Sequence, residues 1–171
     1  MGRISRLFKH RRSAMNARQY LPDELLALSL FPNLDGVFRK TSEFDPLYNC
    51  LAWALGITWA WFSHETRLAG YYWPAGVPRE WTVPAIQKIF AFHGYVEETA
   101  NRDFEPGFEK IAFFVDSNNE PQHFAKQIAN GKWSSKLGQH IDIEHENLEC
   151  LENGDYGNVT LLLKRKAAGS I

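Results

Sequence analysis

Residues 48–56 read YNCLAWALG and place Cys50, one of only two cysteines in the chain, where a helix is predicted to begin. If Asn49 caps that helix, the thiol lies in the first turn, where unpaired backbone N–H groups and the helix dipole favour thiolate. Asp45, which precedes a proline, is the competing cap and would move the thiol into the second turn. Apolar residues continue as far as Trp61 and predict a helix buried on nearly every side.

A histidine in the second half of the chain could act on that thiol. His123 opens a predicted strand just after a turn, and an imidazole within reach of Cys50 could serve as its base. Asp142 is the preferred third group, since a carboxylate could orient the imidazole, and Ser135 is its rival, because a hairpin at Asn130-Gly131 would bring it alongside. Each of these residues also has a purely structural interpretation. Cys50 would be a packed apolar side chain, His123 an ordinary histidine of the hairpin, and Asp142 a solvated acid at the end of a strand.

The sequence also suggests two further features of a site, an oxyanion hole and a metal site. An oxyanion hole could combine the backbone N–H of Cys50 with the side chain of Asn49, which is equally explained as a helix cap. Four residues close together could hold a metal: His140, Asp142, Glu144 and His145. Because alternation along a strand would put only some of them on one face, we predict a thiol site with no metal or other cofactor.

Length and composition narrow the class of protein. The 171 residues suit one domain with a hydrophobic core, and the formal net charge of −1 makes a nucleic-acid partner unexpected. Two cysteines far apart in sequence indicate free thiols in a reducing compartment, rather than a disulfide scaffold or a metal site. Because no apolar run is long enough to cross a bilayer, we expect a soluble cytoplasmic protein without a membrane partner.

The chain divides into a basic tail, residues 1–20, and a single domain over residues 21–171. The tail carries basic residues and no acid, which suits a solvated extension, a transit peptide or a contact with anionic partners. Apolar periodicity and turn residues predict the remaining elements: helices over 21–29, 83–93 and 144–151, and strands over 37–41, 110–115, 123–128, 132–136 and 159–165. Helices first and strands after indicate an α+β domain.

Several motifs in fixed order carry a resemblance: YNCLAWA from residue 48, GKWSSKLG from residue 131 and DIEH from residue 142. They resemble an uncharacterised, mainly bacterial family of small single-domain proteins over about residues 30–165. In topology the chain is also similar to papain-like and NlpC/P60-type cysteine hydrolases, whose helix-borne cysteine and strand-borne histidine would fall on Cys50 and His123. That likeness implies N-terminal helices packed on a small antiparallel sheet. The Asp-Cys-Ser sequence typical of NlpC/P60 enzymes is missing.

Two functional hypotheses follow. In the first, the protein is a cysteine hydrolase or amidase acting on a peptide or amide, with Cys50 as nucleophile, His123 as base and Asp142 orienting the imidazole. In the second, it is a non-catalytic binding, adaptor or immunity-type protein with a protein partner and a structural Cys50. A reactive thiol in a cleft would favour the first hypothesis, and a buried inert thiol the second.

Overall fold

The computed structural model describes residues 18–98 and 101–169. Apart from its last three residues, the predicted basic tail lies outside the described residues. The described helices are α1 (Pro22–Leu30), α2 (Cys50–Ala54) and α3 (Val83–Phe92), with short 3₁₀ turns over Pro32–Leu34 and Glu149–Leu151. The described strands are β1 (Phe38–Lys40), β2 (Trp61–Phe62), β3 (Tyr71–Tyr72), β4 (Val96–Glu98), β5 (Phe108–Val115), β6 (Pro121–Gln127), β7 (Trp133–Lys136), β8 (Asp142–His145) and β9 (Asn158–Lys166).

Seven of these strands form one antiparallel sheet in the order β1-β8-β7-β6-β5-β9-β4. This mixture of helices and an antiparallel sheet is the predicted α+β class, although the sheet is larger than the small one expected. The predicted hairpin at Asn130-Gly131 is confirmed: Gly131 has a φ of 85°, and β7 returns along β6 with Ser135 opposite Ala125. The two-residue strands β2 and β3 form a separate parallel pair.

Alternation along the strands builds two cores, one on each face of the sheet. On β5, Phe113 belongs to the first core and its neighbour Phe114 to the second. The first core contains α2, α3 and residues such as Leu51, Ile86 and Phe124. The second core contains Phe31 from the end of α1, together with buried residues of β6, β7 and β8. Whether two predicted site residues can meet therefore depends on whether their side chains project from the same face of the sheet.

Helix α3 forms as its sequence predicts. The Thr82 side chain accepts a hydrogen bond from the Ala85 backbone N–H at 3.4 Å, a proline lies in the first turn, and Gly94 takes a left-handed φ of 81° just after the helix. Apolar side chains facing the sheet, including Ile89 and Phe90, are fully buried. The capping residues at its two ends were sufficient to predict where this helix begins and ends.

The predicted helix over 21–29 forms as α1, but the central helix that begins near Cys50 and the helix over 144–151 were predicted wrongly in extent or type. Helix α2 ends at Ala54, because Gly56 turns the chain with a φ of 76°, and Trp59 beyond it is 69% exposed. Of the predicted helix over 144–151, only Glu149–Leu151 forms a single 3₁₀ turn. Its first residues instead belong to β8, which pairs with both β1 and β7. Pairing with two neighbours outweighed the local helical pattern.

Candidate functional site

Asn49 is the cap of α2, as the first of the two competing interpretations predicted. Its Oδ1 accepts a hydrogen bond from the Ala52 backbone N–H at 3.2 Å. Its amide also makes two hydrogen bonds with the Phe62 backbone, donating to the carbonyl at 2.9 Å and accepting from the N–H at 3.4 Å. The side chain proposed for an oxyanion hole thus joins α2 to β2, and Cys50 becomes the first helical residue.

The Cys50 thiol lies in the first core and not at an open surface. The residue is 9% exposed and packs among the apolar side chains between α2 and the sheet. Burial raises the pKa of its thiol to about 11, although hydrogen bonds from backbone groups, including that of Phe124, act in the opposite direction. The five-residue helix α2 does not overcome this desolvation, so the neutral thiol is favoured.

His123 is fully buried in the second core. Its ring stacks on that of Tyr156, with centroids 4.1 Å apart and planes within 4°, and meets the Phe114 ring edge-on. Its Nε2 lies 2.9 Å from the Ser135 hydroxyl, while its Nδ1 has no hydrogen-bond partner among the described residues. Burial, and next the nearby His145, lower the pKa of this imidazole well below its usual 6.5.

A chain of three side chains, which we call the histidine relay, runs from His123 through Ser135 to His145. The Ser135 hydroxyl is also 2.9 Å from His145 Nε2, and His145 Nδ1 is 2.7 Å from the carbonyl of Asn147. Because a carbonyl only accepts, His145 carries its proton on Nδ1, and its Nε2 accepts from Ser135. The Ser135 oxygen then accepts from Nε2–H of His123. This assignment gives two neutral imidazoles with fixed tautomers.

Sequence reasoning considered His145 only as a metal ligand and missed its place in the relay. The signal was present in the two-residue spacing, since Ser135 and His145 each follow the pattern that puts alternate residues of β7 and β8 into the second core. Cys150 completes the surroundings, with its Sγ 3.4 Å from His145 Nδ1. Burial raises the pKa of the Cys150 thiol to about 12.

Asp142 lies apart from His123 and belongs to a different buried cluster. Its carboxylate accepts a hydrogen bond from the Tyr48 hydroxyl at 2.6 Å and lies 3.5 Å from the Lys136 ammonium. Lys136 follows Ser135 on β7, so the two side chains project to opposite faces of the sheet. The structure therefore places Ser135, and not the preferred Asp142, next to the imidazole.

The four residues considered as metal ligands also separate. His140 is exposed on a turn, Asp142 pairs with Lys136, and His145 is in the histidine relay. Glu144 pairs with Arg39, with Oε2 3.0 Å from the guanidinium. Within residues 18–98 and 101–169, no group of three or more histidine, cysteine or acidic side chains is arranged to hold a metal ion.

Cys50 and His123 are near neighbours through the backbone but do not form a pair. The thiol lies against the backbone of Phe124, the residue after His123, yet the two side chains belong to different cores. In the part of the chain that is described, no hydrogen bond joins the thiol to the imidazole. The arrangement as it stands holds a neutral thiol and a neutral imidazole, both out of water.

These features define the protein as an α+β domain with a seven-stranded antiparallel sheet, a buried helix-start cysteine and a buried histidine relay. The model of a family described as a domain of unknown function, DUF7689, matches residues 39–164, and the chain belongs to this family. This agrees with the predicted resemblance to an uncharacterised family. No curated protein and no solved structure matches the chain. Among the described residues, no helix has the length and apolar character needed to cross a membrane.

Proposed function

We propose that this protein is a non-catalytic binding protein in which Cys50 stabilises the first core and does not attack a substrate. The observation that carries this proposal is the burial of both groups that a thiol hydrolase would need. Cys50 is 9% exposed and His123 is fully buried, with Nε2 committed to Ser135. A buried, unpaired cysteine behaves as a small apolar side chain, and its thiol is inert.

A cysteine hydrolase or amidase of the papain-like or NlpC/P60 type is the second candidate, and one observation favours it. Cys50 is the first residue of α2 and contacts the backbone beside His123, whose Nδ1 lacks a hydrogen-bond partner among the described residues. In that function, Cys50 Sγ would attack a peptide or amide carbonyl while its proton passes to His123. The proton would then go to the leaving amine, with Ser135 holding the imidazole.

Alkylation of Cys50 by iodoacetamide separates the two candidates. The rate is measured from about pH 6 to about pH 10 in a Cys150→Ser background, so that only one thiol reports, with the urea-unfolded protein as the reference for an accessible thiol. A non-catalytic protein is expected to react at least about a hundredfold more slowly folded than unfolded, with an apparent pKa above the ordinary value of about 8.5.

The same measurement on the His123→Gln variant tests whether His123 acts as a base for Cys50, as the hydrolase would require. Glutamine keeps an N–H donor for Ser135 but cannot act as a base. Fast alkylation of the folded protein with an apparent pKa well below about 8.5, rising when His123 is replaced, would establish a thiolate–imidazolium pair. That result would overturn the non-catalytic proposal and favour the hydrolase.

A further inference from the structure

An open cleft of about 460 Å³ lies beyond the end of α2, beside the first residues of β5 and the last residues of β6. Its apolar walls include Leu55 and Phe108, and Phe104, which is 42% exposed. Its charged lining comes from three neighbouring strands: Glu109 on β5, Lys126 on β6 and Arg165 on β9. This volume and this mixture of apolar walls with a few polar groups are typical of small-molecule sites.

The wall that carries Phe104 is held in place by two side chains from the sheet. The Lys110 ammonium donates hydrogen bonds to the carbonyls of Asn101 at 3.0 Å and Asp103 at 2.8 Å. Gln127 Nε2 donates to the carbonyl of Arg102 at 3.1 Å. Because these contacts fix the backbone directly before the aromatic ring, this wall of the cleft is formed before any ligand enters, which lowers the entropic cost of binding.

Within residues 18–98 and 101–169, Lys126 is the charged group of this cleft that has no hydrogen-bond or ion-pair partner. Its Nζ lies 4.8 Å from the centre of the Trp53 ring, whose indole N–H donates to Ser134 and is thereby fixed. Among the half-buried and buried lysines of the described residues, the others form ion pairs with carboxylates, whereas Lys126 makes no hydrogen bond or ion pair. Cation–π contact offsets only part of the cost of removing an ammonium from water.

The other two charged groups of the cleft are already engaged with each other. Arg165 binds Glu109 Oε2 through Nε at 2.9 Å and Nη2 at 2.8 Å, and its Nη1 donates to the His93 carbonyl. The Tyr95 hydroxyl donates to the same Glu109 oxygen. The charges of the arginine and the glutamate cancel. The charged side chains that line the cleft therefore have a net charge of +1, which comes from Lys126.

We propose that this cleft binds a small organic monocarboxylate, with its apolar body against Phe104 and Phe108 and its carboxylate accepting a hydrogen bond from Lys126. This inference rests on the proposed binding function and names its ligand class. A monoanion matches the single unpaired ammonium, whereas a dianionic phosphate would bring a second charge close to Glu109. The apolar walls disfavour small inorganic anions, because such anions have no apolar surface to bury against them.

Phenylbutyrate is the probe, because it joins one carboxylate to a short chain and an aromatic ring. Binding to the full chain is followed by calorimetry and by two-dimensional amide NMR spectra. Phenylbutanamide is the neutral analogue, and inorganic phosphate is an anion without an apolar part. We expect saturable binding of phenylbutyrate, with amide shifts on β6 and around Phe104. Binding of the amide and of phosphate should be weaker by about tenfold or more, since a charge-assisted hydrogen bond or the apolar contact is lost.

Three variants show whether the lysine is responsible. Lys126→Met keeps the length and the contact with Trp53 but removes the charge, and should weaken phenylbutyrate by about tenfold or more. Lys126→Arg should retain binding, and Lys88→Met, at an exposed position on α3, should leave it unchanged. Spectra of the free variants that superpose on those of the parent establish that the fold is retained.

Several outcomes would overturn the cleft site: no saturable binding of phenylbutyrate, equal binding of acid and amide, or unchanged affinity in Lys126→Met. Because Cys50 does not line the cleft, iodoacetamide reactivity on the same sample is an independent readout. A reactive thiol with intact phenylbutyrate binding would reject the non-catalytic function alone. A slow thiol without phenylbutyrate binding would reject the cleft site alone.

Discussion

Lowering the pH from about 7.5 to about 5 is expected to destabilise the fold through the two imidazoles of the histidine relay. Burial lowers the pKa of His145 from 6.5 to about 4 and that of His123 well below 6.5. Between these values the unfolded chain binds protons that the folded chain does not. The contribution to stability is therefore fully present above the unfolded value of 6.5 and is lost as the pH falls toward the folded values.

The expected loss is large compared with the stability of a small domain. Each pH unit below the unfolded pKa costs a buried neutral histidine up to about 1.4 kcal/mol. At about pH 5, which is still above the folded value for His145, the loss is about 2 kcal/mol for that imidazole, and His123 adds a loss in the same direction. His93, whose pKa burial also lowers, adds to the loss in the same direction. Glu144 and Glu152, with pKa values below 4.5, titrate outside this window.

Urea unfolding at several values between about pH 7.5 and about pH 5 measures the free energy of unfolding directly. His123→Gln should remove part of the pH dependence while keeping a donor to Ser135, and His140→Gln, on an exposed turn, should keep all of it. A free energy of unfolding that stays constant or rises as the pH falls would refute the assignment of neutral imidazoles. So would a full pH dependence in His123→Gln.

Two further predictions concern stability and are measured by the same urea titrations. Gly157→Ala should cost more than about 3 kcal/mol, because φ is 71° and the new Cβ would overlap a backbone carbonyl of β5, whereas Gly138→Ala, with φ 59° and open space, should cost about 1–2 kcal/mol. Equal costs would contradict this reasoning. Asp142→Asn should cost about 3–5 kcal/mol, since it leaves the Lys136 ammonium buried without a carboxylate. Glu144→Gln, which breaks an exposed pair on the same strand, should cost less than about 1 kcal/mol, and a similar cost for both would show that Lys136 finds other partners.

The parts of the fold that the sequence predicted are those set by a few adjacent residues. Thr82 and Asn49 cap their helices through their own side chains, and Asn130-Gly131 turns a hairpin through the conformational freedom of one glycine. Each signal acts over three or four residues and needs no knowledge of the rest of the chain. The end of α2 was missed although Gly56 carried a local signal, because apolar residues continue past the glycine as far as Trp61.

The parts that could not be predicted depend on the register between distant strands. Ser135 meets His123 because β7 pairs with β6, and His145 joins them because β8 adds on the far side of β7. A shift of one residue in either pairing would turn these side chains to the other face. The unpaired state of Lys126 is likewise visible only when the nearby carboxylate is seen to be bound by Arg165.

Burial of the thiol decides how Cys50 should react, and it gives a last prediction. Moving its proton to His123 spans at least 4.5 pKa units, from about 11 to below 6.5, and costs about 6 kcal/mol before the two charges attract. A helix start contributes about 1 kcal/mol toward thiolate, so opening of the core must precede reaction. His123→Gln, which destabilises the fold, should then speed alkylation of Cys50 in step with its lowered free energy of unfolding. Slower alkylation in this variant, at unchanged stability, would instead identify His123 as the base of a reactive thiol.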